Sequence, residues 1–279
     1  MTNPDFQTDT ALAPGLYVVA TPIGNLRDIT LRALDVLQGC DLVLAEDTRR
    51  TGVLLKAYNI DAKLESYHDH NASRRVPAVV ERLQAGARIA LVSDAGTPLV
   101  SDPGFKLVRA AREAGLDVFP VPGASAAIAA LSVAGLPSDR FTFAGFLPAK
   151  PAARKRALEE LRGVTGTLVF YETGPRLAES LRDMAEVLGE RDAVVARELT
   201  KTYEEVRRGT LAELVPNIPP KGEIVILVAP GDAEIWDETK VSEALRERLD
   251  QPAKAASAEV AKLSGWSKRD VYNLLQALK

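Results

Sequence analysis

Residues 93–104 form the stretch of this sequence that is best suited to bind a ligand. They read Ser-Asp-Ala-Gly-Thr-Pro-Leu-Val-Ser-Asp-Pro-Gly and follow apolar or small residues at 89–92, which predict a buried strand. Asp, Ser and Thr supply acceptor oxygens, while Gly exposes backbone amides and leaves room for close approach. A single turn of this kind often binds nothing, but Ser-Asp-x-Gly followed so soon by Ser-Asp-Pro-Gly favours a ligand site.

Polar residues also gather where other predicted strands end. The loops at 21–25, 46–50 and 172–176 each begin where an apolar run stops, and a Pro-Gly-Ala-Ser-Ala turn occupies 122–126. Ligands of open α/β sheets bind beyond the carboxyl ends of the strands. We therefore expect these loops to line one crevice together with residues 93–102.

Several common reaction classes lack their residues in this chain. The only histidines are His68 and His70, the only cysteine is Cys40, and no Gly-x-Ser-x-Gly motif occurs, so a hydrolytic nucleophile is disfavoured. The dinucleotide Gly-x-Gly-x-x-Gly motif and the phosphate loop of NTPases are also missing. The two histidines have no cage of cysteines or carboxylates, and we expect no metal. These exclusions leave one kind of site. It would bind a small-molecule cofactor largely through backbone groups, and a second substrate would reach that cofactor across the crevice.

Composition limits the class of protein and its partners. The 279 residues are 46% hydrophobic and 26% charged, as in ordinary folded proteins, and this length predicts two compact domains with an appendage. A net charge of −3 argues against indiscriminate binding to nucleic acid, although residues 240–279 carry eight Lys or Arg against five Asp or Glu. With one cysteine, no signal peptide and no apolar run of about 18 residues, we expect a cytoplasmic protein without a membrane span.

The spacing of apolar residues predicts the elements that hold these loops. Strands and helices alternate over residues 15–123, which predicts a mostly parallel sheet covered on both faces. In this part, a short helix is expected at 51–58 and a further helix at 75–85, and residues 64–71 between them are expected to form an edge strand that runs into a histidine-rich turn. From residue 140 hairpins mix with helices.

Three short helices are expected at 241–249, 253–264 and 267–278, with a glycine turn before the last of them. They are similar to a helix-turn-helix, and a generic three-helix packing module is the alternative. We divide the chain into a loose N-terminal tail at 1–13, an α/β domain at 14–122, a second α/β domain at 123–233 and the helical module at 240–279.

The residues in these loops resemble a known family. The strings that carry the resemblance are Val-Ala-Thr-Pro-Ile-Gly-Asn at 19–25, Ala-Glu-Asp-Thr-Arg at 45–49, Tyr-His-Asp-His-Asn at 67–71, the whole of 93–104, Pro-Gly-Ala-Ser-Ala at 122–126, Gly-Phe-Leu-Pro at 145–148, Arg-Glu-Leu-Thr-Lys at 197–201 and Lys-Gly-Glu at 221–223. Through them the chain is similar to the tetrapyrrole-methylase-like family of S-adenosylmethionine-dependent methyltransferases. Within that family it resembles the enzymes that methylate the ribose 2′-hydroxyl of a cytidine in the decoding centre of 16S ribosomal RNA.

The resemblance implies a fold, a cofactor and partners. The fold would be α/β, with two α/β domains of the tetrapyrrole methylase type, the cofactor cleft between them, and a small C-terminal helical module. The cofactor would be S-adenosyl-L-methionine, the partner would be 16S rRNA within the small ribosomal subunit, and the protein would be a homodimer. Carried over by position, the cofactor contacts would be Asp94, Ala95, Gly96, Thr97, Pro98, Asp102, Gly123, Ser125, Ala126, Leu147, Pro148 and Tyr171.

Catalytic and RNA-binding residues are less sharply defined. A ribose hydroxyl is a poor nucleophile while protonated, and the candidates for a general base are Asp47, His70, Glu172 and Lys201. Each could equally position RNA or pair with a nearby arginine. Pro175 stands where the family usually has a histidine, which argues against a catalytic role at that position.

Phosphate contacts are expected from basic residues near the loops. The main candidates are Arg49, Arg50, Arg74, Arg75 and Arg176, and further ones are Arg154, Lys155, Arg156, Lys201, Arg207 and Arg208.

Two other functions remain open on the sequence. A tetrapyrrole methyltransferase of the cobalamin pathway would share the fold, but such enzymes usually have a first loop richer in glycine than Thr-Pro-Ile-Gly-Asn. A non-enzymatic ribosome assembly factor would have no need of Asp94, Gly96 and Ser125, and all three are present.

Overall fold

The first sheet of the protein is parallel throughout, as the sequence predicts. The structure is a computed structural model that describes residues 12–215, 219, 221–231 and 236–278, so that residues 1–11 of the predicted tail lie outside it. The strands are β1 (Gly15–Val19), β2 (Leu42–Ala45), β3 (Leu64–Ser66), β4 (Arg88–Val92) and β5 (Val118–Val121), in the order β3-β2-β4-β1-β5. The carboxyl ends of β1 and β4 are therefore neighbours.

Helices cover both faces of this sheet. They are α1 (Leu31–Gly39), α2 (Thr48–Ala57), α3 (Asp69–Gln84) and α4 (Phe105–Glu113). On one face Leu16 and Leu91 belong to a core that includes residues of α3 and α4, and on the other Tyr17 and Val92 pack with α1 and α2. Because alternate residues of each strand are buried on opposite faces, the strands read as continuous apolar runs.

Two helices begin earlier than the sequence suggested, and the edge strand expected at 64–71 ends at Ser66, where the start of a helix replaces the predicted histidine-rich turn. His68 is the N-cap of α3, and the Asn71 side chain accepts a hydrogen bond from the His68 backbone N–H at 3.0 Å. In α2, Asp47 caps the helix by accepting from the Arg49 N–H at 2.9 Å. Polar caps satisfy the free N–H groups of a first turn, so polar residues here start helices instead of preceding them.

The second sheet is mixed. Its strands are β6 (Phe141–Phe146), β7 (Thr167–Thr173), β8 (Asp192–Arg197), β9 (Glu205–Thr210) and β10 (Glu223–Val228), in the order β6-β7-β10-β8-β9. β6 and β7 are parallel and the other pairs are antiparallel. Helix α5 (Ala126–Ala134) packs on one face, and α6 (Pro151–Leu161), α7 (Gly174–Leu188) and the short α8 (Leu211–Leu214) pack on the other.

The three predicted C-terminal helices are confirmed. They are α9 (Glu238–Arg246), α10 (Ala253–Ser264) and α11 (Lys268–Leu278), and their apolar faces form a separate core around Val241, Val260 and Leu275. Trp266 fixes the turn before α11, because its indole N–H donates to the Trp236 carbonyl at 2.6 Å. In the part of the chain that is described, no helix is both long and apolar enough to cross a membrane.

Candidate functional site

A cavity of about 290 Å³ lies where the ends of the two sheets meet. One wall comes from loops at the carboxyl ends of the first sheet and from the start of α5, and the other comes from β6, β7, β8 and β10. The lining residues are Ile23, Arg50, Asp94, Ala95, Gly96, Thr97, Val100, Ser101, Asp102, Ser125, Ala126, Phe146, Tyr171, Glu172, Thr173, Ala196, Leu199, Glu223, Ile224 and Val225.

The loop at 93–104 has an unusual backbone. Gly96 and Gly104 have positive φ, and so do the non-glycine residues Leu99 (72°) and Ser101 (66°). Such conformations persist only where the surroundings impose them, and they concentrate at functional sites. Here Gly96 exchanges two backbone hydrogen bonds with Thr21, at 2.9 and 3.0 Å, which tie the loop to the end of β1.

The turn at 122–126 closes against this loop. The Thr97 hydroxyl donates to the Ala124 carbonyl at 3.2 Å, and a Cβ atom on Gly123 would lie 3.0 Å from that of Ala20. Ser125 is the N-cap of α5, but its side chain makes no capping hydrogen bond. It interacts instead with the Tyr171 hydroxyl, which also approaches the Ala127 backbone, so that the start of α5 and Tyr171 meet at the cavity.

Two carboxylates, Asp94 and Asp102, line this wall, and a third, Glu46, lies close enough to act on them. Asp94 accepts from the Asp47 backbone N–H at 2.9 Å, and the Arg50 guanidinium lies 3.6 Å from it. Burial raises the pKa of Asp102 to about 6, and the nearby Glu46 and Asp94 carboxylates add to the shift, while the Ser93 hydroxyl opposes it. Burial and Asp94 also raise the pKa of Glu46. A cationic ligand group would relieve this repulsion.

The cavity contains no arrangement suited to a metal ion. In the residues that the structure describes, no group of three or more His, Cys, Asp or Glu is placed to hold one.

The opposite wall is largely apolar. Tyr171 makes edge contacts with Phe143 and Phe146, with ring centroids 4.8 and 5.6 Å apart, and burial raises the pKa of its hydroxyl. Val225 is the partner of Tyr171 in β10, Ala196 is the next partner along the ladder in β8, and both are almost fully buried. These side chains form a slot for a flat apolar group.

Glu172 lines the cavity but its carboxylate is held by the protein. Only 2% of the residue is exposed; its oxygens accept from the Ser180 hydroxyl at 2.5 Å and from the Thr173 N–H at 2.8 Å. Arg176 lies 3.4 Å away as an ion pair and donates to the Leu147 carbonyl at 2.6 Å. Glu172 is thus placed to position Arg176 and the end of β6.

Lys201 is held in a similar way. Burial opposes its charge, but hydrogen bonds to Glu223 and Glu198, each 2.9 Å long, raise its pKa. The ammonium group therefore keeps its proton at neutral pH. A Cβ atom on Gly24 would lie 2.5 Å from Lys201 Cγ, so the loops of the two sheets are in close contact here.

Like Lys201, the remaining catalytic candidates do not line the cavity. Asp47 accepts from Arg49 at 2.6 Å, and this hydrogen bond lowers its pKa to about 2. His70 is exposed in the first turn of α3.

Some of the arginines predicted to contact phosphate are accessible, and others are held by carboxylates of the protein. Arg50 lines the cavity and Arg74 is exposed, whereas Arg75 is engaged with Glu65 at 2.9 Å. For Arg154 the prediction is wrong: the side chain is 2% exposed and donates to Asp183 at 2.6 Å.

Most of the predicted cofactor residues come together. Those that line the cavity are Asp94, Ala95, Gly96, Thr97, Asp102, Ser125, Ala126 and Tyr171. Pro98, Gly123, Leu147 and Pro148 do not line it. Leu147 belongs instead to the core on the far side of the second sheet, and Pro148 is exposed.

Sequence reasoning missed part of the lining. The residues concerned are Phe146, Ala196, Leu199, Glu223, Ile224 and Val225, whereas Ile23, Val100, Ser101 and Thr173 lie in loops that were expected to line the crevice. The strings at 197–201 and 221–223 contained a signal for Leu199 and Glu223. Phe146 lies in the string at 145–148.

Comparison with known proteins identifies related chains. Residues 15–215 match the family model of Tetrapyrrole (Corrin/Porphyrin) Methylases. The protein named Ribosomal RNA small subunit methyltransferase I from Erythrobacter litoralis is 52% identical over 273 residues, which is 96% of each chain. Its namesake from Mesorhizobium japonicum is 50% identical over 96% of this chain and 93% of its own, and that of Escherichia coli O157:H7 is 49% identical over 92% and 93%.

Solved structures show the same fold at lower identity. The uroporphyrin-III-C-methyltransferase of Thermus thermophilus aligns with a TM-score of 0.54 at 23% identity, over 77% of this chain and 94% of that one. The methyltransferase CobJ aligns over the same shares with a TM-score of 0.57 at 18% identity.

Proposed function

The chain belongs to the tetrapyrrole methylase family, and from this premise we propose that it uses S-adenosylmethionine to methylate the ribose 2′-hydroxyl of a cytidine in the decoding centre of 16S ribosomal RNA. The relatives that support an RNA acceptor cover nearly the whole chain at about half identity. The tetrapyrrole enzymes among the solved structures are less than 25% identical, and they inform the fold alone. A cobalamin-pathway function is therefore not favoured.

The observation that carries the proposal is the chemistry of the cavity. S-Adenosylmethionine has a sulfonium cation, an adenine ring and ribose hydroxyls. The carboxylates of Asp94 and Asp102 suit the cation, and the slot beside Tyr171, Ala196 and Val225 suits the adenine. Ser125 and the start of α5, which meet the Tyr171 hydroxyl, would add polar contacts.

We propose that the residues of this chain work mainly by alignment. Methyl transfer requires the acceptor oxygen to lie behind the methyl group, in line with the breaking bond to sulfur. The two loops at 93–104 and 122–126 and the slot beside Tyr171 would hold the donor, and the acceptor would approach from the open side of the cavity. When bound, the cofactor supplies an electrophilic methyl group.

None of the four candidate bases is well placed to take the proton. Asp47 and His70 lie outside the cavity lining, the Glu172 oxygens are already occupied, and Lys201 is protonated. We propose that the 2′-hydroxyl proton leaves to water late in the reaction. The alternative, proton transfer to Glu172, makes a different prediction for its glutamine variant.

The proposal also covers the RNA contacts, the oligomeric state and the cellular location of the protein. Arg49, Arg50 and Arg74 would contact RNA phosphates at the cavity mouth, with Arg176 positioned behind them. The protein would act as a homodimer in the cytoplasm, and sedimentation equilibrium would measure its oligomeric state. The domain limits at residues 14–122, 123–233 and 240–279 are part of the same proposal.

A labelling experiment tests the function. Purified protein is incubated with methyl-tritiated S-adenosylmethionine and 30S subunits that lack the modification, and label in 16S RNA is mapped by nuclease digestion. We expect one labelled 2′-O-methylcytidine. Label in a tetrapyrrole acceptor but not in the RNA would favour the cobalamin-pathway enzyme. Failure of calorimetry to detect binding of S-adenosylhomocysteine would favour the assembly factor.

A further inference from the structure

A bulge in β6 changes which face its aromatic side chains occupy. In the ladder with β7, Ala144 is an extra residue between Phe143 and Gly145, and Gly145 adopts a φ of 64°. Side chains alternate along a regular strand, so Phe146 would otherwise lie on the face opposite Phe143. The bulge places both rings on the face of Tyr171, and bulges commonly redirect side chains in this way beside active sites.

The redirected ring lies at the rim of the cavity. Phe146 lines it while remaining 51% exposed, and its only ring contact in the described part of the chain is the edge contact with Tyr171, at 62° between planes. Phe143, on the same face, is partly buried against the α5 core. An open aromatic ring therefore stands between the buried slot and solvent.

We propose that Phe146 is the platform on which the nucleobase of the acceptor nucleotide stacks. This inference rests on the proposed function and names how that function would seat its RNA. Single-stranded RNA is commonly held by stacking of its bases on aromatic rings, at positions where a base leaves its own stack. A ribose hydroxyl can reach the methyl group only if the target nucleotide leaves its neighbours, so its base needs a new surface.

The position of Phe146 favours the acceptor base over the adenine of the donor. The buried part of the cavity is lined by Ala196 and Val225, which are 1% and 3% exposed. A donor that binds there fills the slot, and the acceptor then covers it from the solvent side. Phe146 lies on that side, and the base is one glycosidic bond from the ribose that must align.

The test compares alanine variants of two phenylalanines in β6. Phe146→Ala removes the platform, and Phe141→Ala is the matched control, because Phe141 is 41% exposed on the same strand but does not line the cavity. Methylation of unmodified 30S subunits is measured at saturating S-adenosylmethionine. For Phe146→Ala we expect kcat/KM to fall by roughly 5- to 150-fold, the range for loss of one base stack.

Further variants and a binding measurement separate stacking from other roles. Phe146→Tyr and Phe146→Trp should restore kcat/KM to within about threefold, and Phe146→Leu should not, because a leucine fills space without stacking. Calorimetric affinity of Phe146→Ala for S-adenosylhomocysteine should stay within about threefold of the starting protein.

Each contrary result overturns the stacking role. Equal loss of S-adenosylhomocysteine affinity would assign the ring to the donor adenine. Equal loss in Phe141→Ala would show a general effect on the strand, and full activity in Phe146→Leu would show simple apolar contact. If the starting protein itself leaves 16S RNA unlabelled, the proposed function fails and this inference falls with it, whereas labelling with an unaffected Phe146→Ala refutes the inference alone.

Discussion

The Thr200 hydroxyl oxygen accepts a hydrogen bond from the backbone N–H of Asn25 at 3.0 Å, and this contact joins loops that follow strands of different sheets. Thr200 has a φ of 65°, so the second-sheet loop meets the first in a conformation that its surroundings must maintain. The neighbouring Gly24 leaves no room for a side chain, because a Cβ atom would lie 2.9 Å from the Leu199 carbonyl.

Substitution of Gly24 should therefore open the cavity. Gly24→Ala forces the two loops apart, and we expect affinity for S-adenosylhomocysteine to fall by about tenfold or more, which corresponds to about 1.4 kcal/mol. Calorimetry measures it. Gly163→Ala is the control, because nothing lies within 4 Å of the position of its Cβ atom. Unchanged affinity in Gly24→Ala would show that the contact does not set the width of the cavity.

Cofactor affinity should depend on pH through Asp102. Its folded-state pKa of about 6 means that the carboxylate becomes charged as pH rises through 6, and the sulfonium cation then binds more tightly. Calorimetry from pH 5 to 8 should show a larger gain for S-adenosylmethionine than for S-adenosylhomocysteine, whose sulfur carries no charge. Asp102→Asn should reduce the difference, and Glu46, whose pKa is also raised by burial, should account for the remainder. Identical pH profiles for the two ligands would contradict this expectation.

The raised pKa of Asp102 should also make the free energy of unfolding depend on pH. Because its pKa is raised above the unfolded value, the folded protein binds more protons between about pH 4 and 6, and stability falls as pH rises through that window. Asp102→Asn should then stabilise the protein at pH 7 by on the order of 1 kcal/mol, after allowance for partial exposure. Urea unfolding at pH 4 and pH 7 measures it, and destabilisation of the variant at pH 7 would refute the expectation.

Glu172→Gln distinguishes positioning from proton transfer. Glutamine keeps the size and one acceptor oxygen, so we expect kcat to fall by less than about tenfold and its pH profile to keep its shape. A general base would instead lose about 10²- to 10⁴-fold and the acidic limb of the profile. That second result would replace our view that the proton leaves to water.

Loss of the buried guanidinium of Arg154 should destabilise the second half of the chain. Arg154→Ala leaves Asp183, which is 8% exposed, without its 2.6 Å partner, at a cost of about 3–5 kcal/mol in the free energy of unfolding. Arg156→Ala, on the same helix but exposed, should change it by less than about 0.5 kcal/mol. Equal effects in urea unfolding would mean that the ion pair contributes little.

The first sheet could be predicted because the residues that specify each of its strands and helices are close together in the sequence. Alternating strands and helices, short joints and runs buried on both faces specify a parallel sheet, and its polar loops must then meet at one edge. The loop at 93–104 was therefore found from residue types alone. Its ties to Thr21 and Ala124 follow from that placement.

The structural features that were not predicted each depend on a single residue. The extra Ala144 in β6 reverses the alternation, so that Phe146 faces the cavity and Leu147 faces the far core. No periodicity in the sequence marks such an insertion. The starts of α2 and α3 were missed because Asp47 and His68 act as caps, and their polarity suggested loops. Arg154 was misread because its partner Asp183 lies 29 positions away.

The cavity has walls from both sheets, and this has a consequence for folding. A ligand bound there exists as a complex only when both halves are folded and in contact. At one hundred times its dissociation constant such a ligand adds about 2.7 kcal/mol to the free energy of unfolding. Since neither half can gain this energy alone, the methyl donor would make the two halves melt as one cooperative unit.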